Sequence, residues 1–174
     1  MDSSWTIILV TILGLFSIFS FYFCFSKIFG KGVGLISAFI YATGVYFIFT
    51  DREVVPTMPV YLWVVWFYYG LFLILKAKSK AYILLGLLLG IAWNFNMALV
   101  ILTPLIIIAQ ILAKKKINIK YIILGIIFFI VAFSPFILFE VRHSFRQTKA
   151  IVASLTSGKD YVQGTSRGLH KLNR

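Results

Sequence analysis

Cysteine, histidine and acidic residues are all scarce in this chain of 174 residues: one Cys, two His and five Asp or Glu in total. The lone Cys24 excludes an internal disulfide and any C-x-x-C metal or redox site. It lies inside an apolar run and reads as a small buried apolar residue. Nucleotide and hydrolase signatures are missing too, with no Walker loop, G-x-S-x-G, H-E-x-x-H or dinucleotide fingerprint. The long apolar runs carry no ionisable residue at their centres, which argues against an ion or proton pathway. Two matching halves, the mark of many transporters, are also lacking.

What is present is apolar. Hydrophobic residues make up 61% of the chain, charged residues 13%, and the mean hydropathy is +0.97. A soluble domain has about a quarter charged residues, and a water-facing surface could not be built from this composition. Most of the chain is therefore expected in lipid. The formal charge of +12 is spread as small Lys and Arg clusters between apolar runs. That is the pattern of membrane topology, and it excludes a nucleic-acid-binding stripe. "MDSSW" has no basic n-region and the run after it is long enough to span, so a membrane helix is expected there and not a cleaved leader.

Crossing about 30 Å of hydrocarbon takes roughly 20 apolar residues as a helix. Runs at 5–26, 32–50, 54–75 and 121–139 each fit one helix, and none alternates as a barrel strand would. The stretch from Ala81 to Ala113 is too long for one crossing and carries "WNFN" at its middle. Asn94 and Asn96 placed in mid-bilayer would need hydrogen-bond partners in hydrocarbon. A hairpin of short helices, 81–95 and 97–113, puts them at an apex. The expected fold is thus an all-α polytopic transmembrane bundle of about six segments over 1–139, with 140–174 as an interfacial tail on the outer face.

In that topology the inner loops hold Lys27, Lys31, Lys76, Lys78, Lys80, Lys114, Lys115, Lys116 and Lys120, and no acid. Asp51, Arg52, Glu53, Asn94, Asn96, Glu140, Arg142 and His143 all fall on the outer side. "TDREVVP" concentrates two acids and an arginine at a membrane boundary. An acid can deprotonate a hydroxyl and an arginine can hold a phosphate, although loop charges beside Pro56 and Pro59 also serve simply to end one helix and start another. In "FILFEVRHSFRQTK", helical spacing would put Glu140 and His143 on one face and Arg142 and Arg146 on another. The first pair suits a shared proton or two metal ligands, but lacks a third ligand. The arginines suit a lipid phosphate, or ordinary headgroups. "WNFNM" is a hairpin cap or a contact for sugar hydroxyls. "GLLLG" allows close helix approach, and the aromatics Tyr61, Trp63, Trp66, Tyr68 and Tyr69 are expected to pack between helices.

The order of these parts, from "KIFGKGVGLISAFIYATGVYFIFTDREVVP" through "LLLGLLLGIAW" to "SPFILFEVRHSFRQTKAI", resembles polytopic GT-C glycosyltransferases of the protein mannosyltransferase and aminoarabinose transferase type. The resemblance implies an integral, multi-pass enzyme of the plasma membrane that takes a sugar from a polyprenyl-phosphate donor and transfers it with inversion on the outer face. Its implied partners are the lipid-linked sugar and membrane lipid, with no nucleic acid. No residue set assigns a metal site, and the need for a divalent cation is left open. In the family the catalytic base sits in a first outer loop ahead of the segments matched here, and an Asp often follows the proline where this chain has Thr57. The catalytic residue is therefore unassigned. The expectation is of a piece truncated at both ends and inactive alone. The alternatives are a non-catalytic polytopic membrane protein and a small transporter or flippase subunit.

Overall fold

The computed structural model describes residues 3–52, 59–114, 118–143, 145, 148, 149 and 152. All regular structure among them is helical. In chain order the elements are α1 (Ser3–Phe29), α2 (Lys31–Thr43), α3 (Val45–Arg52), α4 (Val60–Leu75), α5 (Ala81–Phe95), a 3-10 segment (Met97–Leu102), α6 (Pro104–Ala113) and α7 (Ile119–Arg142). The chain divides into two compact units, Met1–Ser134 and Pro135–Arg174.

Two helices, α1 and α7, are long and apolar enough to cross a membrane. Only 6% of the most apolar window of α7 is buried within the protein, against the burial expected of a soluble core helix. Ile123, Ile126, Ile127, Ile130 and Val131 all remain exposed along it, as do Ile8, Leu9, Ile12 and Leu15 on α1. Such continuous apolar surface requires lipid to cover it. The protein is membrane-embedded.

The other helices are shorter. The run 32–50, expected as one span, is broken at Gly44 into α2 and α3. Gly44 adopts φ −67°, ψ 115°, and a Cβ there would come within 2.7 Å of the Phe47 ring and 2.8 Å of the Ile40 carbonyl. The bend needs a residue without a side chain, and the apolar run gave no sign of it. At the other end of α2, Gly30 turns the chain back from α1 with φ 106°, a conformation open to glycine. The returning helix then lies so close that a Cβ on Gly34 would sit 2.7 Å from the Tyr22 carbonyl.

In the first unit, α4 is the hub. Trp63, Phe67 and Ile74 on its buried side pack with Ala81, Leu85, Leu88 and Ala92 of α5, with Leu99 of the 3-10 segment and with Ala109 of α6. Trp66 reaches α1, where its indole Nε1 donates to Ser20 Oγ at 3.1 Å and its ring stacks on Phe23. Trp63 stacks on Phe67 at 4.9 Å and donates from Nε1 to the Leu88 carbonyl at 2.6 Å. Tyr61, Trp63, Trp66 and Tyr69 pack against neighbouring helices as their number suggested, whereas Tyr68 is half exposed and meets Phe67 of its own helix.

The stretch 81–113 turns back on itself. α5 stops at Asn96, whose backbone is extended (φ −155°, ψ 94°). The hydroxyl of Tyr82, at the start of α5, donates to Gln110 near the end of α6. The two helices therefore run in opposite directions, joined by the 3-10 segment. The glycines of "GLLLG" face α7: a Cβ on Gly86 would overlap Gly125, and one on Gly90 would lie 2.6 Å from the Phe129 carbonyl. Small residues at these spacings let membrane helices come into backbone contact.

Candidate functional site

Packing within the first unit sorts its polar residues into two ends. At one end, the second residue of α4, Tyr61, meets Phe47 of α3 with ring centroids 5.1 Å apart. Asp51 and Arg52 follow one turn later, at the C-terminal end of α3. Pro59, Leu62 and Trp63 at the start of α4 share a groove with Ile91 and Phe95 at the end of α5. Asn94 and Asn96 therefore belong to the same end. At the opposite end are the turns bearing Lys27, Lys31, Lys76, Lys78, Lys80 and Lys114. There the last turns of α1, α4 and α6 converge, with Phe29, Leu75 and Leu112 around one groove. The start of α7 belongs with them, since a Cβ on Gly125 would meet the Tyr82 carbonyl at 2.5 Å; Lys120 thus joins the lysine end.

Asn94 is an exposed residue whose amide is nonetheless engaged. Its Nδ2 donates to the Gly90 carbonyl at 3.1 Å within α5 and to the Ala132 carbonyl of α7 at 2.9 Å. It ties the two helices together just beyond their glycine contact. Asn96 caps the 3-10 segment, its Oδ1 accepting from the Ala98 amide at 3.1 Å. Both amides thus perform the capping and bridging that a helix turn in a low-dielectric setting requires. Glu53 lies outside the described residues, and for Asp51 and Arg52 the structure describes the backbone position.

The groove at the Asp51 end has a volume of 320 Å³. It runs between α1, α4 and α5, with Phe16, Leu62, Trp66, Leu84 and Leu88 among its walls, and it reaches Pro59 and Phe95 where the polar residues gather. Its wholly apolar lining can hold hydrocarbon and offers a polar group no partner.

The second unit holds the remaining candidates. Glu140, in the last turn of α7, is only 3% exposed. Its Oε2 accepts from both the amide (3.0 Å) and the hydroxyl (2.6 Å) of Thr148. The chain reaches that position by a turn at Phe145, which has φ 58° and donates its amide to the Glu140 carbonyl at 2.8 Å. His143 does not join Glu140. Its ring stacks on Phe139 at 4.1 Å and its Nδ1 pairs with the Phe139 carbonyl at 2.8 Å. The His143 amide still bonds to the Phe139 carbonyl at 3.0 Å and the Glu140 carbonyl at 3.2 Å, but the imidazole is turned onto Phe139 and not toward the Glu140 carboxylate. Arg142 is exposed in the last helical turn, and Arg146 lies outside the described residues. Among the described residues no cluster of His, Cys, Asp and Glu could hold a metal ion.

Thr148 was not among the sequence candidates. In a continuing helix a threonine eight residues on would lie about 12 Å away along the axis, and the turn at Phe145 is what brings the two together. The aromatic groove was equally hidden, since the residues lining it come from separate helices and carry no motif.

Neither the curated proteins nor the solved structures contain a match to this chain. The family described as dolichyl-phosphate-mannose-protein mannosyltransferase matches residues 1–139, which covers the whole helical array up to the last turn of α7, and the chain belongs to that family.

Proposed function

We propose that this chain is the membrane region of a glycosyltransferase that moves a sugar from a polyprenyl-phosphate donor to an acceptor on the outer face of the membrane. Family membership supplies the transferase class and a lipid-linked donor. The observation that carries the rest is the division of the first unit into a lysine end and an Asp51–Asn94 end. Lysine-bearing turns stay on the inner side, which leaves Asp51, Arg52, Glu53, Asn94 and Asn96 outside. Under this reading the chain passes the plasma membrane several times, and α2 and α3 together make one bent crossing.

The chemistry asked of that end is substitution at the anomeric carbon. An acceptor hydroxyl oxygen forms the new bond to that carbon as the bond to the phosphate oxygen breaks. The phosphate leaves with the electron pair, and the hydroxyl proton passes to a carboxylate. A guanidinium such as Arg52 stabilises the phosphate dianion. The apolar groove beside Pro59 and Phe95 suits the first isoprene units of the donor, with the phosphate at its polar mouth. Glu140, Arg142 and His143, in the second unit, are proposed as donor or acceptor contacts in their own right.

The test is transfer from labelled polyprenyl-phosphate mannose in membranes containing the natural full-length protein. Asp51→Ala and Arg52→Ala should each lower turnover about 100-fold or more, the usual scale for losing a proton-transfer group or charge clamp. Unchanged turnover in both, at equal protein level, would favour a scaffold role for this end.

A further inference from the structure

We infer that the larger groove of the first unit binds an anionic glycerophospholipid, with its acyl chains between α1, α4 and α6 and its headgroup at the lysine end. The inference rests on membrane embedding and packing, and does not use the transferase reading.

The groove has a volume of 780 Å³, within the range of about 300–1,000 Å³ typical of ligand sites. Phe25, Phe29, Phe72, Leu75, Ile108 and Leu112 are among its walls. Along α4 the lining runs from Tyr61 to Leu75, roughly 20 Å at 1.5 Å per residue. That exceeds one leaflet of hydrocarbon, about 15 Å, so a fatty acyl chain fits lengthwise.

Two of the three helices forming the groove, α4 and α6, end in a lysine beside its lining. Lys76 follows Leu75 directly, and its Nζ stands 5.5 Å from the ring centroid of Phe72, a lining residue. That position holds the ammonium over the opening. Lys114 comes two residues after Leu112, in a left-handed turn with φ 48°. Lys27 of α1 lies at the same end of the helices, but its Nζ stands 5.8 Å from the ring centroid of Phe23, outside the groove lining. No acid occurs in the turns 26–34, 76–80 or 113–120. The mouth is therefore cationic with no carboxylate beside it in sequence, above a slot lined almost wholly by apolar atoms. A phosphate diester carrying two acyl chains matches both features, and basic pockets between membrane helices take acidic headgroups for this reason. An acidic peptide would satisfy the lysines and leave the slot empty. The sugar donor would present its phosphate at the opposite end.

The experiment reconstitutes the natural full-length protein in nanodiscs of equal phosphatidylcholine and phosphatidylglycerol, then identifies retained lipid by native mass spectrometry. Phosphatidylglycerol should be retained in preference. Lys76→Gln and Lys114→Gln should each lower the phosphatidylglycerol-to-phosphatidylcholine ratio about fivefold, the effect of one basic residue at an anionic surface. Ile108→Trp, made at a half-exposed wall position, should fill the slot and lower retention of both lipids; Leu112→Trp serves the same purpose if the first variant does not fold. Equal retention of the two lipids by the unaltered protein would overturn the inference. So would a ratio untouched by the lysine changes, or displacement of phosphatidylglycerol by either polyprenyl phosphate or an acidic peptide.

Discussion

Gly86 of α5 and Gly125 of α7 stand in backbone contact, so that a Cβ on Gly86 would overlap the Gly125 carbonyl. The obstructing atom is backbone, which cannot rotate away as a side chain would. Gly86→Ala should therefore destabilise the protein by about 1–3 kcal/mol, the cost of overpacking, even though alanine favours a helix by about 1 kcal/mol over glycine. Gly32→Ala is the matched control, since nothing lies within 4 Å of its Cβ position; it should leave stability level or slightly raised. Thermal unfolding in detergent reads both.

Trp63 and Leu88 provide a second test. Trp63→Phe keeps an aromatic ring over Phe67 but removes the indole N–H that donates to the Leu88 carbonyl at 2.6 Å. The expected loss is about 1 kcal/mol for the hydrogen bond. Trp63→Ala, which also empties a site only 3% exposed, should cost about 3–5 kcal/mol. Equal effects of the two changes would show that the hydrogen bond, and not the packing, dominates.

Asn94 separates a structural from a substrate-binding role. Its Nδ2 faces two carbonyl oxygens, those of Gly90 and Ala132. Asn94→Asp replaces that donor with a carboxylate oxygen and should lower stability by about 1–3 kcal/mol. If turnover falls while the unfolding midpoint holds, Asn94 acts on substrate and its bridge between α5 and α7 is incidental.

Much of this was legible in the sequence because lipid imposes few rules and strict ones. Uncharged runs marked α1 and α7, the amides in "WNFN" marked the end of α5, and "GLLLG" marked a close helix contact. Gly44 shows where that reading stops. Nothing in an uninterrupted apolar run distinguishes a glycine that bends the helix from one that merely sits in it. The Glu140–His143 pairing was equally illegible: spacing places two residues on a face but does not say which neighbour a ring will stack on, and the His143 imidazole takes Phe139.

The turn after α7 can be tested through Thr148. Thr148→Val removes the hydroxyl that donates to Glu140 Oε2 at 2.6 Å while leaving the backbone amide bond at 3.0 Å. Hydrogen bonds to charged groups contribute about 1.5–3 kcal/mol, so amide exchange at Phe145 and Lys149 should quicken at least tenfold. Thr148→Ser should restore protection. Unchanged exchange in Thr148→Val would mean that the turn is held by its backbone bonds alone.

The separation of the Asp51 end from the lysine end underlies the proposed chemistry. It is tested most directly by placing single cysteines at Arg52 and at Lys78 in a Cys24→Ser background and labelling intact cells with a membrane-impermeant maleimide. Arg52→Cys should be labelled from outside and Lys78→Cys only after the membrane is opened. Labelling of both from the same side, or in the reverse order, would contradict the assignment of sugar transfer to the Asp51 end.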